Sequence, residues 1–230
     1  MTTNNTHTLG KGFDRITAVY DIVVSICSFD RINKSQLAFL SHLSSQKAGL
    51  ILGGGTGYFL QKVLDQNEEI HITYVDASAK MIEYSKKRIE KNRPTDLHRV
   101  TFICSGVEDL EWHTYDLIIC NYILDLFDNA FVEILAEKFK KHLSVNGLLY
   151  VTDFNISETN GFMKWSTQIG LKVLYALFRW TTQLQTKQLP ETEKILKGQG
   201  FSITNSKYFL NGILACHIYK INSPTIQSLR

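Results

Sequence analysis

Apolar, β-rich runs alternate with helical patterns through the middle of the chain. The run GLILGG, from Gly49 to Gly54, reads as a short buried strand, and TGYFLQKVLDQ after it carries helical periodicity. IHITYVDA, from Ile70 to Ala77, is the next strand, followed by the helical ASAKMIEYSKKRIEKN. RVTFICS, YDLIICN and GLLYVTDF complete the series, the last two separated by the helical NAFVEILAEKFKKHL. Strands that are apolar on both faces and alternate with helices predict a parallel sheet covered on both sides. Right-handed crossovers then favour a doubly wound α/β arrangement.

The ending departs from this rhythm. Pro190 suits the first turn of a helix over ETEKILKG and Gly200 suits its exit. GFSITNSKYFL and GILACHIYK then flank Asn211-Gly212, a two-residue hairpin signal, so the last two strands are expected to be antiparallel. Residues 1–12 read as a disordered polar tail and 13–230 as one domain. Within it, 13–45 form two or three short helices and 155–189 an aromatic helical insertion. In that insertion Phe162, Trp165, Ile169 and Val173 share a helical stripe, interrupted by Lys164, Gln168 and Lys172. Packing on the domain, a lid over an apolar or aromatic acceptor, a homodimer contact and a membrane-surface helix stay open as readings of it. It lacks the apolar continuity of an integral membrane span.

Composition narrows the classes further. At 230 residues the chain suits one α/β domain with appendages. A net charge of +3, with the basic residues spread along helices, gives no electrostatic case for nucleic acid. The four cysteines form no CxxC pair and the seven histidines no ligand-spaced cluster, so no metal is assigned. Cys104 and Cys120 lie in strand-like runs and are expected to be buried. The polar start MTTNNTHTLGKG lacks a signal-peptide core, which points to the cytoplasm.

The sharpest chemical signal is Gly53-Gly54-Gly55-Thr56-Gly57, between a strand and a helix. Such a loop brings backbone close to a ligand at a helix N-terminus, where free N–H groups favour an anion. The nicotinamide fingerprint fails because Tyr58 stands where its third glycine belongs, and no Lys-Ser/Thr follows to make a P-loop. Asp76 ends the second strand about twenty residues on, where an acid can accept both hydroxyls of a ribose. Ser78 is the expected cap of the next helix.

Together, ILGGGTG, YVDASAKMIEYSKKR, FICSGVEDL, YDLIICNYILDLF and NGLLYVTDF resemble the successive motifs of class I S-adenosylmethionine-dependent methyltransferases. The resemblance runs from about Gly49 to Asp153 and implies a Rossmann-like sheet, mostly parallel, with an antiparallel C-terminal hairpin. It implies that Gly53, Gly54, Gly55 and Gly57 wrap the methionine end of the cofactor and that Asp76 holds the ribose. Ala77, Gly106, Val107 and Glu108 would line the adenine, and Asn121 and Tyr122 would face the methionine moiety and the acceptor. Two positions depart from the family pattern: Ile51 and Gly106 stand where acids are usual. The first implies weaker binding of the cofactor's ammonium group or a replacement contact. GFDRITAVYDIVVSICSFDR is similar to the opening of the ubiquinone/menaquinone-biosynthesis methyltransferases, which makes Phe13, Tyr20 and Asp21 the start of a helical lid.

The expected reaction is methyl transfer from S-adenosylmethionine to a small, apolar or aromatic acceptor. A base is needed only if the acceptor loses a proton, and Tyr20, Asp125 and Asp153 are the catalytic candidates. A fold-retaining scaffold without turnover, and an enzyme that uses the same cofactor for another transfer, are the alternatives.

Overall fold

The computed structural model describes residues 29–155, 189–210 and 212–222. Helix α1 (Phe29–Gln36) and a 3-10 turn (Leu40–Leu43) lead into strand β1 (Ala48–Leu52). The chain continues through α2 (Tyr58–Gln66), β2 (His71–Asp76), α3 (Ala79–Asn92), β3 (Val100–Cys104) and β4 (Tyr115–Asn121). Helix α4 (Asn129–His142), β5 (Leu143–Phe154), α5 (Thr192–Gly198), β6 (Phe201–Phe209) and β7 (Leu214–Ile221) complete it.

The seven strands form one sheet in the order β3-β2-β1-β4-β5-β7-β6. Strands β1 to β5 pair in parallel, and β7 runs antiparallel to both β5 and β6. This is the Rossmann-like α/β fold anticipated from the alternation of runs. The chain winds outward from β1 to β3 and then returns to β4 on the other side of β1. The β1/β4 junction is thus the topological switch point, where open α/β sheets take their ligands.

Strand alternation divides the core in two. Leu50 and Leu52 of β1 pack on one face with Ile118, Leu135, Phe139 and Leu196. Ile51 packs on the other with Phe59, Leu60, Val63, Ile89 and Ile119. Helices α4 and α5 therefore cover one side and α2 and α3 the other. Helix α4 shows why its sequence folds as it does. Val132, Leu135, Ala136 and Phe139 form one buried stripe. The Asp128 side chain caps the first turn by accepting from Phe131 N, and Lys140, Lys141 and His142 oppose the dipole in the last.

Four local expectations need correction. The turn between β6 and β7 spans four residues, since Phe209 pairs with Leu214. Both Leu210 (φ 51) and Gly212 (φ 92) are left-handed in that turn, so it uses more than the Asn-Gly pair. Pro190 stands before Glu191, the N-cap of α5, and outside the first turn. Strand β5 begins at Leu143, through a register shift opposite Tyr115 and Leu117 that its polar Ser144 and Asn146 conceal. Cys104 is exposed because it ends the edge strand β3, whereas Cys120 is buried in the sheet centre.

The expected tail 1–12, residues 13–28 of the expected 13–45 helices and all but the ends of the 155–189 insertion lie outside the described residues. Among the described residues no helix is long and apolar enough to cross a membrane.

Phe139 is fully buried where α4 meets the sheet, packed in the core with Leu50, Leu52 and Ile118. Replacing Phe139 by Ala should cost about 3–5 kcal/mol in urea unfolding, the usual penalty for such a cavity. A loss below about 1 kcal/mol would show that α4 does not pack as described.

Candidate functional site

The turn from β1 into α2 carries the glycine loop. Gly53 (φ 61), Gly55 (φ 63) and Gly57 (φ 76) all adopt left-handed backbone. Gly57 is the N-cap of α2, and a Cβ there would lie 2.7 Å from Ser85 Cβ on α3. Only glycine lets α3 pass this close. Arg88, one turn further along α3, donates from Nε to the Thr56 carbonyl at 2.8 Å.

Strand β2 holds the loop from the side. Gly54 N donates to the Val75 carbonyl at 3.2 Å. Gly55 N donates to Asp76 Oδ2 at 2.8 Å, and the Tyr74 hydroxyl donates to the Gly55 carbonyl at 2.8 Å. The second Asp76 oxygen accepts from Ser78 N at 2.9 Å, and the Ser78 hydroxyl caps α3 at Met81 N as expected. A Cβ built on Gly55 meets no atom within 4 Å. The loop is thus fixed by β2 and α3 on its inner side and open on its outer side.

The neighbouring candidates gather along the same sheet edge. Asp76 pairs with Cys104, which sets Ala77 beside the loop at Gly106, Val107 and Glu108. Val107 points inward, packed in the core with Leu110 and Leu124, while Glu108 is exposed. At the end of β4, Ile123 lies so near Gly53 that a Cβ there would approach its Cδ1 to 2.3 Å. Asn121 and Tyr122 are therefore brought next to the glycine loop. Tyr122 takes φ 54, rare for a non-glycine residue, and is held by its N–H to the Thr152 carbonyl at 2.7 Å. Its hydroxyl shares a 2.6 Å hydrogen bond with Ser35 on α1, and its ring lies against Phe154. Burial pushes the Tyr122 phenol up, so it stays protonated at neutral pH. Both side-chain polar atoms of Asn121 are buried without a hydrogen-bond partner among the described residues. Such an orphaned amide is costly unless something completes it.

Asp125 and Asp153 are both buried, at 4 % and 9 % exposure. Asp153 accepts from Asp125 N at 3.2 Å and from Phe154 N at 2.8 Å, which pins the turn after β4 to the end of β5. Burial, and then the nearby Asp125 carboxylate, push the Asp153 carboxyl well above its ordinary range. Strand alternation puts Asp153 on the side of Leu149 and Val151, and Asn121 on the side of Leu117 and Ile119. These two candidates do not face each other across the sheet. Ile51 is 2 % exposed among apolar side chains, so no polar group occupies the position where an acid is usual. Tyr20, with Phe13 and Asp21, lies outside the described residues.

Sequence reasoning missed Tyr74, Ser85 and Arg88. A signal existed for the first: a lone phenol inside the otherwise aliphatic end of β2, two residues before the acid.

A parallel sheet with a glycine loop at its switch point and an acid at the end of the adjacent strand is the arrangement at which open α/β domains take their ligands. Comparison with known proteins sharpens this. Residues 50–149 match the family model described as "Methyltransferase domain". The chain is similar to a malonyl-[acyl-carrier protein] O-methyltransferase from Priestia megaterium, 30 % identical over 154 residues, covering 65 % of this chain and 52 % of that protein. It thus spans about half the length of that relative. The fold is similar to that of the mitomycin 7-O-methyltransferase MmcR, with a TM-score of 0.67 at 14 % identity over 91 % of this chain and 60 % of that one. It is also similar to the N-methyltransferase NodS of Bradyrhizobium japonicum, solved with S-adenosyl-L-homocysteine, with a TM-score of 0.58 at 14 % identity over 85 % of this chain and 89 % of that one. Residues 50–149 thus carry a match to a methyltransferase domain, on a fold that solved methyltransferases share.

The raised Asp153 carboxyl has a consequence for stability. The native state holds this proton more tightly than the unfolded chain does, so stability falls as pH rises above the ordinary carboxylate range. Thermal melts from about pH 4 to pH 8 should show the unmodified chain losing stability relative to Asp153→Asn as pH rises. A pH-independent difference between the two would contradict the buried, proton-retaining Asp153.

Proposed function

We propose that this chain binds S-adenosylmethionine along the carboxyl edge of β2, β1 and β4 and transfers its methyl group to a small-molecule acceptor. The observation that carries the reading is residue Gly55, held at its N–H by Asp76 and at its carbonyl by Tyr74, with its outer side open. A carboxylate has about four acceptor positions, so Asp76 can orient the loop and also accept from ribose hydroxyls. Gly53, Gly54, Gly55 and Gly57 line the methionine end. Ala77, Gly106, Val107 and Glu108 border the adenine, with Val107 N–H as a contact.

The bound cofactor supplies a methyl group already activated on a sulfonium. What the chain adds is position, orientation and the exclusion of water. Asn121 offers its buried amide to the methionine moiety or the acceptor, and Tyr122 holds the adjoining wall through Ser35 and Phe154. Asp125 and Asp153 fix the turn that carries this wall. The two backbone amides that Asp153 accepts from support a positioning part for it, beside the general-base part that its place at the strand end suggests. Oxygen is the acceptor atom we favour, because the relative similar in sequence carries an O-methyltransferase name. An apolar or aromatic acceptor rests on the pattern of residues 155–189 alone.

A second reading, a fold-retaining scaffold without turnover, draws support from Ile51, whose apolar burial removes the usual carboxylate for the cofactor's ammonium group. Calorimetric titration with S-adenosylmethionine and S-adenosylhomocysteine separates the two. Binding that weakens roughly 10- to 100-fold in Asp76→Ala, the loss of charge-assisted hydrogen bonds, supports the enzyme. A folded chain that binds neither ligand supports the scaffold.

A further inference from the structure

Tyr74 is the one fully buried phenol whose hydroxyl meets the glycine loop among the described residues. Three observations converge on it. Its hydroxyl donates to the Gly55 carbonyl at 2.8 Å, opposite the amide that Asp76 accepts. Its ring fills the space a side chain at position 54 would need: a Cβ on Gly54 would lie 2.2 Å from Cε2 and from Cζ. The ring itself is oriented edge-on to Phe102 of β3 at 5.5 Å, so it cannot swing away without disturbing the next strand. Burial keeps the phenol protonated and thus a donor at neutral pH.

We infer that Tyr74 is the positioning residue of the cofactor loop, fixing the Gly55–Thr56 peptide by its carbonyl while Asp76 fixes the preceding Gly54–Gly55 peptide by its N–H, so that the open side of Gly55 faces the nucleoside–methionine ligand. The inference rests on the cofactor site proposed above and assigns to β2 a part beyond its terminal acid. The two peptide groups that meet at Gly55 are each tied to a side chain of the same strand, so flipping either one breaks a bond to β2. The loop amides are therefore held before any ligand arrives, and binding need not spend affinity on ordering them. Without the hydroxyl, the Asp76 bond alone leaves the carbonyl end free to rotate. Gly54 belongs to the same device, since any side chain there would displace the ring that carries the hydroxyl.

The test uses Tyr74→Phe, which keeps the ring and removes only the donor. Three quantities are read on the full chain: affinity for S-adenosylhomocysteine, amide hydrogen exchange at Gly54 to Gly57, and melting temperature. The expected result is a three- to tenfold weaker affinity, about what one buried hydrogen bond contributes. Exchange should quicken at the loop amides and stay unchanged in α4 and β5. Gly54→Ala should weaken binding by at least as much, and Gly54→Ala combined with Tyr74→Val should regain melting temperature without regaining affinity. A merely structural tyrosine would lower the melting temperature and leave the affinity of the folded fraction untouched. Equal affinity in Tyr74→Phe and the unmodified chain, with Asp76→Ala defective, overturns the inference and leaves the cofactor site standing. Absence of binding by the unmodified folded chain overturns both.

Discussion

One residue, Gly55, is the constraint on which the candidate site depends. Its N–H and its carbonyl both end on side chains of β2, and positions 53, 54 and 57 around it are glycines because the β4 turn, β2 and α3 crowd the loop from within. The fold supplies the crowding. Parallel pairing of β1 with β2 and β4 places three strand ends side by side, and the return of the chain to β4 opens the crevice above them. Residues far apart in sequence, such as Gly53 and Ile123, then come into contact.

The acceptor side is held by a different kind of tie. Tyr122 and Tyr150 both direct their hydroxyls to the segment before β1: Tyr122 to Ser35, and Tyr150 to the Gln36 carbonyl and the Phe39 amide. Buried hydroxyls with defined partners fix the packing of α1 on the sheet more specifically than apolar contact alone. Asp153 performs the matching task on the opposite face, where it anchors the turn that begins with Tyr122. The site edge is thus built mostly from groups whose immediate work is to hold backbone in unusual shapes. The methyltransferase-domain match of residues 50–149, the glycine loop and Asp76 carry the functional reading, and the Asn121 amide lies buried without a partner among the described residues.

Much of the fold was legible because strand–helix alternation and apolar runs are properties of neighbours in sequence. YDLIICN is the strand from Tyr115 to Asn121 with no residue added, and Ser78 caps the helix as its type suggests. The glycine loop and Asp76 were legible for the same reason: each lies in a short motif at a fixed spacing. What escaped depends on contacts between distant segments. Tyr74 reads as an ordinary β residue until the loop is seen above it. Cys104 looks buried until β3 proves to be an edge strand. Asp153 gives no sequence sign that its oxygens accept from the backbone of the turn after β4 and of its own neighbour. The hairpin misled because two left-handed residues, Leu210 and Gly212, share a turn that Asn-Gly alone seemed able to make.

The central claim is that the β2 side chains and the glycine loop form one ligand-binding unit at the sheet's carboxyl edge. A crystal structure of the chain with S-adenosylhomocysteine tests it most directly. The account predicts the ribose hydroxyls on Asp76, the homocysteine portion along Gly53 to Gly57, and the Gly55 carbonyl still bonded to Tyr74. A ligand lying elsewhere, or a ribose held without Asp76, would contradict it.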